Sequence, residues 1–256
     1  MSKSQLDYLL EDAQGGFENL TADTTSVPFI HVLQDLSPAV KRNKPESVEG
    51  AEAGMFMNSV TKRLFKSPLR VVVGRFDRYY CEWKPNRGGF VRQWTVDEVS
   101  SSLAKGLIGY NEKRQIVTRE GNSVQETYVY YSILPDFPEE GVVIFSLASS
   151  QIREAKKWNR LMLSTNLPGT NKRAAPYFVV WELSTVEQSN DKGDWYGLNV
   201  KFDSIVDKET YALVMDARTT LPDKTADMRQ LEQNTAAALP SAPIYEAPID
   251  ASDVPF

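Results

Sequence analysis

The chain has 256 residues, 41% of them hydrophobic, with one cysteine, one histidine and a formal net charge of -5. That length suits one sizeable domain with tails. The lone Cys81 excludes an intrachain disulfide framework and fits a reducing cytosol, while a single His31 leaves no His/Cys zinc set, no Ser-His-Asp triad and no Cys-His pair.

No Gly-x-x-x-x-Gly-Lys phosphate loop is present, and no carboxylates stand out as a metal cluster, so we expect no catalytic residue, metal or cofactor. No apolar run approaches the ~20 residues of a membrane span. Met1 to Asp12 lacks a basic region followed by an apolar stretch, so no secretory signal is expected either.

Residues 1–26 are polar and read as a flexible N-terminal arm, with Leu6, Leu9 and Leu10 enough for a turn or two of helix. Phe29, Val32, Leu33 and Leu36 have helical spacing. Pro28 and Pro38, however, bracket a run short enough for a strand, so its type stays open. His31 within it reads as a packed, structural histidine. Residues 69–83 form a long β-branched and aromatic strand, with Gly74 a bulge or bend, ending in a turn over 84–89. Residues 115–118 and 126–134 form a hairpin around Gly121-Asn122, and 142–147 a short buried strand.

A helix follows, capped by Ser149 or Ser150 and running through Leu163. Ile152, Ala155, Asn159 and Met162 give one inward stripe through Leu163, and Lys156, Lys157 and Arg160 face other ways. Residues 168–173 make a basic loop. Residues 177–183 then pair with 195–202 across a turn at 188–193, and 208–217 form a terminal helix.

This order predicts a mainly β fold: an OB-fold-like antiparallel barrel over residues 27–218, with one inserted helix, a C-terminal helix and flexible tails. A β-sandwich is the alternative. A parallel α/β fold is disfavoured because helices do not separate the strands. The tail, 219–256, is expected to be disordered and acidic. From Leu221 on it has six Asp and Glu against two Lys and Arg. It therefore holds -4 of the net -5, and the remainder, at -1, can still present a basic groove.

The chemistry-bearing stretch is Arg75 to Trp94, where cations and aromatics interleave. Alternation puts Arg75, Asp77, Tyr79, Cys81 and Trp83 on one strand face, and Phe76, Arg78 and Tyr80 on the other. Single-strand binders need this mixture: cations track phosphates while aromatic faces stack unpaired bases. Any single ring is more often core than platform. Both faces of a thin barrel cannot be core, so some ring is exposed. The candidate contacts are Arg75, Arg78, Tyr79, Tyr80, Trp83, Lys84, Arg87 and Phe90, extended by Lys156, Lys157, Trp158, Lys172 and Arg173.

Asp250, Asp253, Pro255 and Phe256 form an acidic hook with an apolar tip, suited to a basic rim around an apolar pocket. This ending resembles the C-terminal tip of bacterial single-stranded-DNA-binding proteins, which in that family recruits replication and repair enzymes. A wider resemblance, to tailed-phage single-stranded-DNA-binding proteins, runs from about Pro28 to Phe202. It is carried by Pro28 to Pro38, Val48-Glu49-Gly50-Ala51, Asn58-Ser59-Val60-Thr61, Glu82-Trp83, Ser149-Ser150-Gln151, Lys157-Trp158 and Gln188 to Tyr196, in that order. The resemblance implies an OB-fold protein that coats single-stranded DNA during phage replication; it carries no residue roles.

The expected function is sequence-independent binding and protection of single-stranded DNA in phage replication and recombination, without catalysis, in the bacterial host's cytoplasm. The tail would recruit a polymerase, primase or helicase. A homo-oligomer is left open, and no membrane partner is expected. The alternatives are a strand-annealing or recombination mediator, and a phage protein-interaction (host-takeover) protein with no nucleic-acid role.

Overall fold

The computed structural model describes residues 27–85, 88–190, 193–219 and 221. The N-terminal arm and the acidic tail beyond Leu221 lie outside the described residues. The run left open at Phe29 to Leu36 contains a strand, β1 (Ile30–Val32), which pairs with β2 (Phe56–Asn58), itself paired with β3 (Leu64–Phe65).

The main sheet comprises β4 (Leu69–Trp83), β5 (Phe90–Trp94), β6 (Ile108–Tyr110), β7 (Ile116–Thr118), β8 (Ser123–Ile133), β9 (Val142–Ala148), β10 (Val179–Asn190) and β11 (Gly193–Ile205). Its order is β11-β10-β4-β8-β7-β6, with β5 added on β4 and β9 on β8. The protein is thus mainly β, an antiparallel sheet curled into an OB-fold-like half-barrel. The long β4 serves two neighbourhoods. Its first residues, Leu69 to Val72, pair with β10, and its last, Tyr80 to Trp83, pair with β5.

Gly74 is the expected bulge: the register with β8 skips from Val73–Ser132 to Arg75–Tyr131. One extra residue exchanges the strand faces. Before the bulge, Leu69, Val71 and Val73 enter the main core; after it, Phe76 does.

Helix α2 (Ile152–Ser164) fills the concave side of the sheet with Ala155, Trp158 and Met162. Trp158 stacks on Tyr130 at 4.3 Å and meets Trp181 edge-on at 6.5 Å. A short turn over Ser149–Gln151 leads into the helix, and its cap is Gln151 without a side-chain bond. Neither serine is the cap, because that extra turn leaves both ahead of the helix start. Leu163 is exposed rather than inward, since the buried stripe runs through Trp158 instead. Helix α3 (Lys208–Thr219) rests on the sheet's other side through Val214, against Val72, Ile133 and Val180. Asp207 Oδ1 accepts the Thr210 N–H at 2.7 Å and starts it.

A third helix, α1 (Val96–Ala104), was not expected. Thr95 and Glu98 close a reciprocal capping box: Thr95 Oγ1 accepts the Glu98 N–H at 3.1 Å, and Glu98 Oε2 accepts the Thr95 N–H at 2.6 Å. The helix covers a separate small core of Trp94, Val99, Ile108 and Val124, with Tyr80, Leu103 and Ile116 around it. Residues from about 84 to 122 therefore form a lobe at the far end of β4 and β8.

The N-terminal segment spans the gap between the two open sides of the half-barrel. The Ile144 N–H of β9 donates to the Pro28 carbonyl at 2.8 Å. Six residues on, the Gln34 carboxamide donates to the Tyr196 carbonyl at 3.0 Å and accepts the Tyr196 N–H at 2.7 Å, on β11. Gly54 fits beneath this contact: a Cβ there would lie 2.8 Å from the Tyr196 ring, and its φ of +84° also favours glycine.

Candidate nucleic-acid interface

The alternation on β4 is as expected, but burial assigns the two faces differently. Tyr79 and Cys81 pack with Phe29, Val129, Tyr131 and Ile144 in a second core, and Tyr79 is only 7% exposed. Burial, with Asp77 beside it, raises the Tyr79 hydroxyl pKa. Arg75 Nε lies 2.7 Å from Asp77 Oδ2, and its guanidinium sits 4.0 Å above the Tyr131 ring. Tyr79 is therefore a core ring rather than a stacking platform, and Arg75 is engaged within the same face. The reason is that the segment around Phe29 lies across this face. At its rim, Trp83 and Phe90 are half-buried and meet edge-on at 5.5 Å.

The opposite face holds the open ground. Phe76 packs against Tyr128 at 5.3 Å and Tyr130 at 5.1 Å, within the core that includes helix α2. Tyr80, four residues on, belongs to the lobe core. Arg78 lies between them on the same face and is exposed. Arg78 Nη2 bonds Glu126 Oε1 at 2.6 Å and the Tyr80 hydroxyl at 2.9 Å, and its guanidinium is 5.6 Å from the Tyr80 ring centroid. The strip Phe76–Arg78–Tyr80 is thus a floor between barrel and lobe.

Beside it, Arg92 lies over the Trp94 ring at 3.4 Å. Trp94 Nε1 donates to Glu82 Oε2 at 2.9 Å, Asn122 donates to Glu82 Oε1 at 2.7 Å, and Arg92 Nε lies 3.3 Å from Oε2. The buried Glu82 carboxylate is therefore fully engaged in holding the lobe on β4. Lys84 is exposed beyond the strand end. Arg87 lies outside the described residues.

On helix α2, Trp158 is fully buried, so it offers no face to a base; it fills the barrel instead. Lys156, Lys157, Lys172 and Arg173 are exposed. Lys157 Nζ donates to Asn199 Oδ1 at 3.0 Å and Glu154 Oε2 at 3.3 Å, tying the helix to β11. The Leu167 N–H donates to the Lys172 carbonyl at 2.9 Å, which sets Lys172 opposite Leu167. Leu167 also lines an open cleft of about 310 Å³ with Phe178, Ile205, Lys208 and Tyr211.

Several exposed apolar groups fell outside sequence reasoning: Phe202 at 49% exposure, Tyr211 at 39% and Tyr110 at 64%. Tyr110 and Tyr211 sit in elements whose amphipathic pattern is weak. Phe202 follows Leu198 and Val200 on the inward face but emerges past the end of the core. The tail residues Asp250, Asp253, Pro255 and Phe256 lie outside the described residues. Among the described residues, no group of three or more His, Cys, Asp or Glu side chains is placed to hold a metal ion.

What this surface offers is cations beside ring faces and edges, without a nucleophile paired to a base. Cations and rings in this arrangement are the groups that reversible stacking and phosphate contact use. In comparison with known families, the model of the family described as Pam3 phage gp34-like protein matches residues 2–226. No curated protein and no solved structure matches the chain.

Proposed function

The chain belongs to the Pam3 phage gp34-like family, and on that premise we propose that it coats single-stranded DNA during phage replication and recombination, without catalysis and without sequence preference. The observation that carries the reading is the exposed Arg78 beside Tyr80, on the concave face between the barrel core and the lobe core. A strand laid along that floor meets the Arg78 cation beside the Tyr80 ring, with Arg92 over Trp94 next to them and Lys84 exposed beyond the end of β4. Stacking tolerates any base, because each has a π-face, and the cations meet only phosphates. A duplex hides those faces. The OB-fold-like half-barrel supports the reading as an architecture other single-strand binders use.

The tail from Glu246 to Phe256 is proposed to recruit a replication protein, and the protein to work in the host cytoplasm. The deciding experiment is a fluorescence titration with oligo-dT and with a duplex of equal length. The single strand should quench the protein's tryptophan fluorescence where the duplex does not, and Arg78→Ala should weaken single-strand binding several-fold. Equal affinity for duplex and single strand, or no binding, rejects the reading.

A further inference from the structure

The lobe from Lys84 to Asn122 holds seven Lys and Arg against four Asp and Glu, a net of +3 in a chain whose total is -5. Its outer strand β6 ends the sheet. Ile108 enters the lobe core, but Tyr110 stands 64% exposed and Leu107 49%. Pairing with β7, Ile108 to Thr118 and Tyr110 to Ile116, fixes what flanks these groups.

At one end, Arg119 Nη2 donates to the Gly106 carbonyl at 3.0 Å, which holds its guanidinium beside Leu107, with Lys105 adjacent. At the other end, Asn111 Oδ1 accepts the N–H groups of Lys113 at 3.0 Å and Gln115 at 2.9 Å. That turn puts Lys113 and Arg114, both exposed, just past Tyr110. The two cationic ends lie about four residue steps of strand apart, roughly 13 Å. Glu112 and Glu120 share the turns, so four cations stand against two acids.

We infer that this edge is a second contact for single-stranded nucleic acid, in which Tyr110 stacks an unpaired base while Arg114 and Arg119 meet phosphates on either side. The inference rests on the reading that the chain binds single strands at all. The lobe's positive charge, set against an acidic chain, favours a polyanion as occupant. An exposed ring between cations favours one whose base faces are open.

The test uses the full chain with fluorescently labelled oligo-dT, followed by anisotropy. Tyr110→Ala should weaken binding about tenfold, and Tyr110→Phe, which keeps the ring, should retain it. Changing Lys113 and Arg114 together to Gln should reduce the salt slope by about 0.7 for each phosphate no longer neutralised. Because these side chains are exposed, the urea midpoint should not move. Wild-type affinity in Tyr110→Ala, with the unaltered protein binding, overturns the inference and leaves the functional reading standing. Equal loss in Tyr110→Ala and Tyr110→Phe overturns the stacking role. Failure of the unaltered protein to bind overturns both.

Discussion

Trp158 and Tyr79 show what one residue's surroundings decide. Both look, in sequence, like rings set among cations, and both are core because another segment lies over them: helix α2 turns Trp158 inward, and the segment at Phe29 covers Tyr79. Covering of that kind depends on contacts distant in sequence, so strand alternation separates the faces of β4 but cannot say which is roofed. Trp158→Ala should therefore destabilise the fold by about 3–5 kcal/mol, and Tyr79→Ala should also cost stability. Urea midpoints equal to that of the unaltered protein would contradict both placements. His31 fits its expected structural role. Its ring lies parallel to Phe29 at 5.9 Å, and burial of the imidazole, aided by the Lys62 charge, lowers its pKa from 6.5 to about 4. Between those values the unfolded chain binds more protons than the folded one. Stability from this group is thus complete above pH 6.5 and falls as the pH drops toward 4, by up to ~3 kcal/mol. Replacing His31 with Phe should remove that component from urea unfolding measured at pH 7 and pH 4.5; an unchanged acid loss would refute it.

Among the elements, those with clear apolar runs or periods were legible: β4 with its bulge, the hairpin of β7 and β8, β9, helix α2, and the hairpin of β10 and β11; helix α3 was legible too, though its amphipathic pattern is weak. Helix α1 was not, although Val96, Val99 and Leu103 have helical spacing: the segment is short and only Val99 and Ser102 in it are buried. The signal that could have found it is Thr95-Val-Asp-Glu98, the spacing of a capping box. The same oversight hid the lobe, and with it the exposed edge of β6. Since the cap is the clearest local device holding α1, Thr95→Ala should cost about 1 kcal/mol. The loss should be local: amide exchange should quicken over residues 95–105 while the barrel amides keep their protection. A uniform change across the chain would show that the lobe and barrel unfold as one unit.

For the whole molecule, charge is unevenly shared: a lobe of +3 at one end of the sheet, and -4 from Leu221 onward. Removing Glu246 to Phe256 should leave stability unchanged and tighten single-strand binding slightly at low salt, an effect that fades as ions screen it. The same truncation should abolish capture of a partner from infected-cell extract; recovery of the same proteins with and without the segment would refute the hook. The curled sheet has a last strand, β11, and a last strand is a template on which another polypeptide can hydrogen-bond. Gln34 occupies that template at Tyr196, presenting one donor and one acceptor as an incoming backbone would. In the proposed role chains would crowd along a polymer at high local concentration, and such a plug would keep neighbours from zipping together by their sheets. Gln34→Ala should therefore betray itself less in melting than in light scattering, as concentration-dependent self-association of folded chains.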